Sequence, residues 1–391
     1  MRRPSLRETL TGVAVMLVSL SIAVVLCELG LRALLPSAGD YYAHKPYLRV
    51  NFEPSPKIMP GIEGVSRYFV NSMGVRGDEF SHDDTYRILA IGGSTTECNY
   101  LDQSETWQFL LQEKLNKNTQ NHKVWVGNVG KGGITSRHHI LQMKYLLPQF
   151  EDIDAVIMLL GLNDLSNRLA QDIHYDPHSL DRPGSKEKQL LEAFSVLPVG
   201  HNLALPYYKR AALWHLGRKV KYRIFHSGHI QDRGGRYLQS WRRHRRNATT
   251  IRNELPDLST ALEEYCRNID TIVDLARDKS VRIIFVTQPV LWRSGLPDEL
   301  KNLLWFGGVG RYRQSIEREY YSVEALATGM DMYNETLLWV SRIRQVECFD
   351  LASCLVKDTT VFYDDCHFNE DGSERVAELL ARYLLQREPF K

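Results

Sequence analysis

A serine, a histidine and an aspartate in the sequence have the side chains that nucleophilic catalysis requires. Ser94 directly follows an apolar run, 88–91, and two glycines. Asp364 and His367 lie three positions apart near the C-terminus. A serine hydroxyl becomes a nucleophile when a histidine takes its proton and a carboxylate orients that histidine. These residues therefore predict a serine-nucleophile site, provided that the fold brings residue 94 to residue 367.

Ser94 occupies a position at which open α/β sheets bind ligands. The apolar run predicts a buried parallel strand over about 87–91, and later apolar spacing predicts a helix over about 105–117. The two glycines permit a sharp turn, and free N–H groups at the start of a helix favour negative charge. Taken alone, Gly-Gly-Ser is equally compatible with a tight turn and a helix cap.

Two further polar segments also follow apolar runs. The segment 128–136 contains Gly133 and follows a run that ends at Val126, and the segment 161–164 contains Asn163. In this order, and together with the segments at Ser94 and His367, they resemble the four blocks of the SGNH (GDSL-type) hydrolase superfamily. As a set of four they are specific, although any one of them is weak.

The resemblance covers roughly residues 86–164 and 259–388, and it implies both a fold and a site. The fold is three-layer α/β/α (flavodoxin-like), with a central, mostly parallel five-stranded sheet. The first block is Gly-Gly-Ser here instead of Gly-Asp-Ser, a variation that the family tolerates. The resemblance implies a catalytic Ser94, Asp364 and His367, and an oxyanion hole of the Ser94 and Gly133 N–H groups and the Asn163 amide.

Each of these assignments has an alternative. Asn163 could cap a helix, and His367 could be a surface histidine. Asp365 could replace Asp364 as the partner of the histidine, although the family spacing favours Asp364. Asp164 is interpreted as structural.

The chain of 391 residues divides into three parts by pattern. Residues 1–35 form a cytoplasmic stub and a transmembrane anchor, 36–85 a proline-rich linker and lead-in, and 86–391 the hydrolase domain. Residues 166–258 contain no convincing buried strand and are interpreted as an insertion, helical in its second half. The remaining strands are predicted near 123–128, 154–160, 281–287 and 345–351, and the remaining helices at 137–147, 259–279, 315–343 and 370–386.

The stretch from Thr9 to Cys27 is uncharged and long enough to span a bilayer. Arg2, Arg3 and Arg7 precede it, so the positive-inside rule predicts a single-pass protein of the cell (inner) membrane. The N-terminus would be cytoplasmic and the catalytic domain extracytoplasmic (periplasmic). The alternatives are a cleaved signal peptide and a lipoprotein at Cys27, but no clean small-x-small site follows and Leu26 is large.

The insertion is basic towards its end, with aromatic and aliphatic residues among its arginines and lysines. A helix with basic and apolar faces could lie on an anionic membrane. The favoured interpretation is a solvated cap helix whose basic residues pair with acidic neighbours. Residues 290–312, which include Trp292 and Trp305, are predicted to form either a lid or substrate wall or ordinary packing.

Composition limits the partners. An apolar content of 43%, a charged content of 25% and a net charge of +2 are ordinary, and the sequence contains no nucleic-acid-binding module. It contains no metal cluster, phosphate loop or dinucleotide fingerprint, so no cofactor and no metal is expected. The expected partners are an acyl-ester substrate (small molecule, glycan or lipid) and the membrane.

The predicted function is an extracytoplasmic, membrane-anchored serine esterase that hydrolyses acyl esters, with O-acetyl and lipid acyl groups as candidates. The alternatives are an O-acyltransferase that acts on a carbohydrate and a non-catalytic membrane-anchored binding or assembly module. If Ser94 and His367 meet, Cys98 and Cys366 become neighbours, and a disulfide between them would hold the base in register.

Overall fold

The computed structural model describes residues 6–391 except 35–40, 80, 82, 120–121, 151, 179–181, 183, 199–210, 226–234 and 311–317. The strands are β1 (Arg49–Phe52), β2 (Ser66–Phe69), β3 (Tyr86–Gly92), β4 (Val124–Asn128), β5 (Ala155–Leu159), β6 (Thr250–Arg252), β7 (Arg282–Val286), β8 (Glu319–Tyr321) and β9 (Glu347–Phe349). The helices are α1 (Leu6–Leu34), α2 (Ser94–Glu97), α3 (Trp107–Asn118), α4 (Ser136–Leu141), α5 (Leu162–Gln171), α6 (Ser185–Ala193), α7 (Ala212–Phe225), α8 (Gly235–Arg246), α9 (Ser259–Asp278), α10 (Asp298–Lys301), α11 (Val323–Ile343) and α12 (Glu370–Leu385).

A five-stranded parallel sheet in the order β4-β3-β5-β7-β9 forms the centre of the molecule. Every residue of β3, β4 and β5 is buried, as expected for strands that are covered on both faces. Helices α3, α9, α11 and α12 bury apolar faces in the same core. The predicted α/β fold with a parallel five-stranded sheet is confirmed.

Two predicted helices differ from those observed. The helix predicted at 137–147 is α-helical only over α4 and continues as a π-helical turn, Gln142–Leu146. The helix predicted from Ser315 begins at Val323, where the Ser322 side chain accepts a hydrogen bond from the Ala325 N–H. Positions 311–317 lie outside the described residues. Helix α11 runs through Gly329 without a break, and this glycine leaves room for Leu165 of α5, whose Cδ1 would lie 3.0 Å from an added Cβ.

The lead-in segment contributes to the core. It contains the antiparallel hairpin β1–β2, and Met59 and Ile62 are fully buried against the main cluster. Arg76 is also fully buried and donates hydrogen bonds to the carbonyl oxygens of Glu97, Cys98 and Leu101. This buried cation therefore holds the chain that follows Ser94.

The N-terminal helix has a different surface from the others. Among the described residues, one helix, with a candidate span of Leu10–Arg32, is long and apolar enough to cross a membrane. Its large apolar side chains are exposed, as shown by Leu17 and Val25 at 53% and 55%. Helix α1 is therefore compatible with membrane anchoring.

Candidate active site

The structure brings Ser94, His367 and Asp364 together. Ser94 begins α2 directly after β3, and His367 lies in the loop before α12. Ser94 Oγ lies 2.7 Å from His367 Nε2, and His367 Nδ1 lies 2.8 Å and 2.9 Å from the two oxygens of Asp364. Side chains that could serve as a nucleophile, as a base and as a carboxylate that orients the base are thus connected in one hydrogen-bonded chain.

The short spacing between Asp364 and His367 explains how one loop supplies both groups. Asp364 Oδ1 accepts hydrogen bonds from the backbone N–H groups of Cys366 and His367 at 3.0 Å and 2.9 Å, which fixes the turn. Trp305 Nε1 donates to the other carboxylate oxygen at 2.9 Å. The side chain of Asp364 is almost fully buried, whereas that of His367 is 14% exposed.

The charges in this chain are set by burial and by the ion pair. Burial raises the pKa of Asp364, but attraction to His367 and the hydrogen bonds that the carboxylate accepts outweigh this and lower it to about 2. Burial lowers the pKa of His367, but the adjacent Asp364 carboxylate more than compensates, and the net pKa lies above its ordinary value. The carboxylate is therefore ionised and stabilises a protonated imidazole.

Asp365, the alternative partner, has another role. Its carboxylate accepts hydrogen bonds from Trp292 Nε1 at 2.8 Å and from the Trp305 N–H at 2.7 Å. Burial and the neighbouring Asp364 raise the pKa of Asp365 to about 6. Asp365 thus connects residues 290–312, here called the tryptophan loop, to the loop that carries Asp364 and His367, here called the His367 loop.

The tryptophan loop combines the two roles considered for it. Trp292 is 1% exposed and packs in the core. The ring of Trp305 lies parallel to the His367 ring, with 6.4 Å between centroids, and also lines a large cavity. Trp305 is therefore a wall of the site.

Asn163 lines a small cavity together with Ser94, and Gly133 lines the large cavity together with Asn163. A Cβ on Gly93 would lie 2.5 Å from Asn163 Nδ2, so glycine at this position lets the amide approach the turn. The Asn163 amide donates to the Ile134 carbonyl oxygen at 2.8 Å. Gly133 has a φ of +78°, in the left-handed region that favours glycine.

Two partly buried acids, Asp164 and Glu97, form hydrogen bonds to the segment around Gly133. Asp164 accepts hydrogen bonds from the N–H and hydroxyl of Ser136, and burial raises the pKa of Asp164 to about 7. Glu97 Oε2 accepts from the Gly132 N–H at 2.7 Å, and burial raises the pKa of Glu97. His44 contacts the Gly130 carbonyl oxygen at 2.8 Å. Sequence reasoning gave no role to Glu97 or His44, although Glu97 lies one helical turn after Ser94.

One large cavity and two small ones are lined by candidate site residues. A cavity of about 770 Å³ is lined by Gly133 and Asn163 and continues along α5 and α6. Two cavities that touch Ser94 itself measure about 10 Å³ each, roughly the room for one water molecule. His139, which lines one of them, is fully buried, and its Nε2 has no hydrogen-bond partner.

The disulfide considered between Cys98 and Cys366 is not formed, because both residues are free thiols. Cys98 lies in the left-handed region at the end of α2 and donates to the Thr95 carbonyl oxygen. Cys366 Sγ lies 3.6 Å from His367 Nδ1. Burial raises the pKa of both thiols, which does not favour the reactive thiolate.

Among the residues that the structure describes, one group of side chains could offer ligands to a metal ion: Asp364, Cys366 and His367, whose ligand atoms lie within 4.8 Å of one another. The Asp364 carboxylate and His367 Nδ1 already bond to each other, and the Cys366 thiol is protonated at neutral pH. This donor set fits a hydrogen-bonded pair better than a metal centre.

The basic insertion is not simply a solvated cap. Arg242 of α8 is 6% exposed and donates to the carbonyl oxygens of Ile58, Leu303 and Tyr363. Its partners are backbone carbonyls, so the interpretation based on acidic partners is wrong for Arg242, whereas Arg252 of the insertion does pair with acidic side chains. Trp241, adjacent to Arg242, packs on Trp305, with ring centroids 4.7 Å apart.

The chain is similar to several solved structures at low identity. An acetylxylan esterase (Axe2) from Geobacillus stearothermophilus is 14% identical, with a TM-score of 0.39 over 80% of this chain and 98% of that chain. A putative lipolytic protein of the G-D-S-L family from Desulfitobacterium hafniense is 11% identical, with a TM-score of 0.37 over 77% and 100%. LAE5, an alpha/beta hydrolase from the metagenome of Lake Arreo, is 13% identical, with a TM-score of 0.39 over 78% and 95%.

The comparison with curated proteins gives no match. The model of the GDSL-like lipase/acylhydrolase family matches residues 90–375, which is more than half of the chain and includes every candidate site residue. The protein therefore belongs to the GDSL-like lipase/acylhydrolase family and is an SGNH-type hydrolase of ester bonds.

Proposed function

We propose that the protein is a membrane-anchored serine esterase whose catalytic residues are Ser94, His367 and Asp364. The observation that carries the proposal is the hydrogen-bonded chain from Ser94 Oγ through His367 to Asp364, with links of 2.7 Å and 2.8 Å. Residues 86–391 would be the hydrolase domain, with its insertion at 166–258, residues 36–85 a lead-in packed against it, and residues 1–35 the anchor.

In this mechanism Ser94 Oγ attacks the carbonyl carbon of the ester while His367 Nε2 takes its proton. The protonated imidazole is stabilised by the ionised Asp364 and then delivers the proton to the leaving alcohol. Water, activated by the same His367, attacks the acyl-enzyme. This second attack releases the carboxylic acid and restores Ser94.

The negative charge on the tetrahedral intermediate would be met by the N–H groups of Ser94 and Gly133 and by the Asn163 amide. Ser94 is the first residue of α2, but this helix has only four residues, so the individual N–H groups matter more than a helix dipole. Donors that are already in place stabilise the transition state without reorganisation.

The cavities favour a short acyl group on a polar alcohol. The spaces that touch Ser94 measure about 10 Å³ each, too small for a long acyl chain. The cavity of about 770 Å³ is lined largely by amides, hydroxyls and charged groups, with Trp305 as an aromatic wall. Polar groups that orient a ligand beside an aromatic surface suit a sugar better than a hydrocarbon chain. We therefore favour O-acetyl or similarly short esters of a glycan.

The same cavity supports a second candidate, transfer of the acyl group to a carbohydrate. A sugar hydroxyl bound in the large cavity could replace water as the nucleophile in the second step. Catalysis up to the acyl-enzyme would be unchanged, so Ser94 and His367 serve both reactions.

The test uses the full chain in detergent. A fluorophosphonate probe is expected to label Ser94, and p-nitrophenyl acetate is expected to be hydrolysed much faster than the palmitate. Ser94→Ala is expected to abolish both labelling and turnover, whereas Ser353→Ala, at an exposed serine, leaves them unchanged.

A folded protein that neither reacts with the probe nor hydrolyses any short ester would refute the proposal. Faster turnover of the palmitate would refute the substrate class alone, and faster acyl-enzyme breakdown with an added glycan would favour transfer.

A further inference from the structure

Helix α7 begins against the last turns of the apolar helix α1. Glu28 Oε1 accepts a hydrogen bond from the Ala212 N–H at 2.8 Å, and Oε2 accepts one from the Leu213 N–H at 2.9 Å. Arg32 Nε donates to the same carboxylate at 2.7 Å. A carboxylate is favourable at this point, because the first N–H groups of a helix have no partner within it and carry partial positive charge. The start of α7 is therefore fixed to residues 28–32.

Glu28 and Arg32 are the first charged residues after the uncharged stretch from Thr9 to Cys27. Charged side chains are costly in hydrocarbon and favour the boundary with the headgroups. With α1 across the membrane, as proposed above, this pair lies at that boundary on the side of the hydrolase domain. Helix α7 consequently begins at the membrane surface.

Helix α7 exposes several large apolar side chains. Leu216, Val220 and Ile224 are 39%, 47% and 61% exposed, and their spacing of four residues places them on one face of the helix. Trp214 is a further exposed apolar residue, at 42%.

The sequence of α7 is also basic. It contains four basic residues and no acidic residue: Arg218, Lys219, Lys221 and Arg223. A 14-residue helix is only about 21 Å long, too short to span a bilayer. An apolar face, basic residues and insufficient length to span are together typical of a helix that lies in the membrane interface.

We propose that α7 lies on the membrane as an interfacial helix, with Leu216, Val220 and Ile224 inserted among anionic lipids. The inference rests on the proposed anchoring by α1. Two observations select lipid as the occupant of this face over a second copy of the chain: its continuity with α1 through Glu28, and the uniformly basic charge that anionic lipid attracts. Helix α8, which follows in the chain, contacts the active-site wall through Trp241 and Trp305.

The test places a photo-crosslinking amino acid at single positions of the full chain, purified in nanodiscs. Val220 and Ile224 test α7, and Leu17 tests α1. Ile343, an exposed apolar residue at the end of α11, is the matched control. Lipid adducts are measured by mass spectrometry in discs of phosphatidylglycerol and in discs of phosphatidylcholine.

We expect lipid adducts at Leu17, Val220 and Ile224 but not at Ile343, with a loss of the α7 adducts in phosphatidylcholine. Adducts at Leu17 without adducts at Val220 and Ile224 would overturn the α7 proposal and leave the anchor intact. An absence of adducts at Leu17 would overturn the anchor itself. A chain-to-chain adduct at Val220 in place of lipid would overturn the proposal in favour of a second copy.

Discussion

Asn163 depends on its neighbours for its position beside Ser94. Glycine at residue 93 leaves space for the amide, and the Ile134 carbonyl oxygen accepts one of its hydrogens at 2.8 Å. A side-chain amide held in this way can donate its second hydrogen to an oxyanion without reorganisation. The amide is therefore expected to act in the transition state more than in binding.

The first prediction concerns this amide. Asn163→Ala is expected to lower kcat by about 10²–10³ with little change in KM, because one oxyanion donor is lost. Asn167→Ala is the matched control, since Asn167 is the same residue type on α5 and lines the same cavity. Steady-state kinetics with p-nitrophenyl acetate give kcat and KM for both variants. An equal loss of kcat in both variants would contradict a role for Asn163 as oxyanion donor.

The second prediction concerns pH. His367 acts as a base in its neutral form, so kcat/KM rises as pH passes its pKa. Burial lowers that pKa, but the Asp364 carboxylate outweighs burial and raises it above its ordinary value, and Glu97 also raises it. Glu97→Gln retains an acceptor for the Gly132 N–H but removes the negative charge that raises the pKa of His367. The rising limb of the pH profile of kcat/KM is therefore expected to move to lower pH.

The control for this shift is Glu113→Gln, which removes an exposed carboxylate from α3 and is expected to leave the limb in place. The measurement is the pH profile of kcat/KM for the three proteins. A limb that stays in place or moves to higher pH in Glu97→Gln would show that the charge of Glu97 does not act on His367.

At the scale of the elements, α8 connects three separate parts of the chain. Arg242 reaches the lead-in at Ile58, the tryptophan loop at Leu303 and the His367 loop at Tyr363. A guanidinium can do this because it carries five donors in a fixed plane. The loops that hold Asp364, His367 and Trp305 are therefore joined by one side chain from the insertion.

The third prediction follows from this connection. Arg242→Met leaves three carbonyl oxygens without their donor, at a cost of about 1–3 kcal/mol for each that stays buried. We expect a clearly lower unfolding temperature in detergent and a reduced kcat. Arg243→Met removes an exposed charge from the same helix and is expected to change stability by less than about 0.5 kcal/mol. Equal unfolding temperatures for the two variants would contradict the role assigned to Arg242.

The strands of the central sheet were predictable because fully buried parallel strands are short apolar runs, and β3, β4, β5 and β7 lie within one or two residues of their predicted ranges. The proposed serine, base and carboxylate were predictable because motif order and strand ends locate them. Arg242 was not, because buried and solvated arginines look alike in sequence. Glu97 was not, because its role depends on contact with Gly132, 35 residues away.

The whole molecule has an apolar N-terminal helix on one side and an insertion that contacts both that helix and the active-site wall. Glu28 of α1 meets α7, and Trp241 of α8 meets Trp305. Such an arrangement would keep the large polar cavity close to the membrane. A hydrolase so placed would act on esters near the bilayer surface, on the side of the membrane that the orientation of α1 determines.

The last prediction concerns that side. Arg2, Arg3 and Arg7 precede the uncharged stretch, and the hydrolase domain follows it, so the positive-inside rule orients the domain outwards. Alkaline phosphatase fused after Lys391 is expected to be active in a bacterial host, and green fluorescent protein fused there to be dark. The same reporters at the N-terminus should behave in the opposite way. An uncleaved anchor also requires an N-terminal tag to stay on the full-length membrane-bound chain, because a signal peptide would be removed with the tag. Release of the tag, or fluorescence from the C-terminal fusion, would contradict the proposed topology.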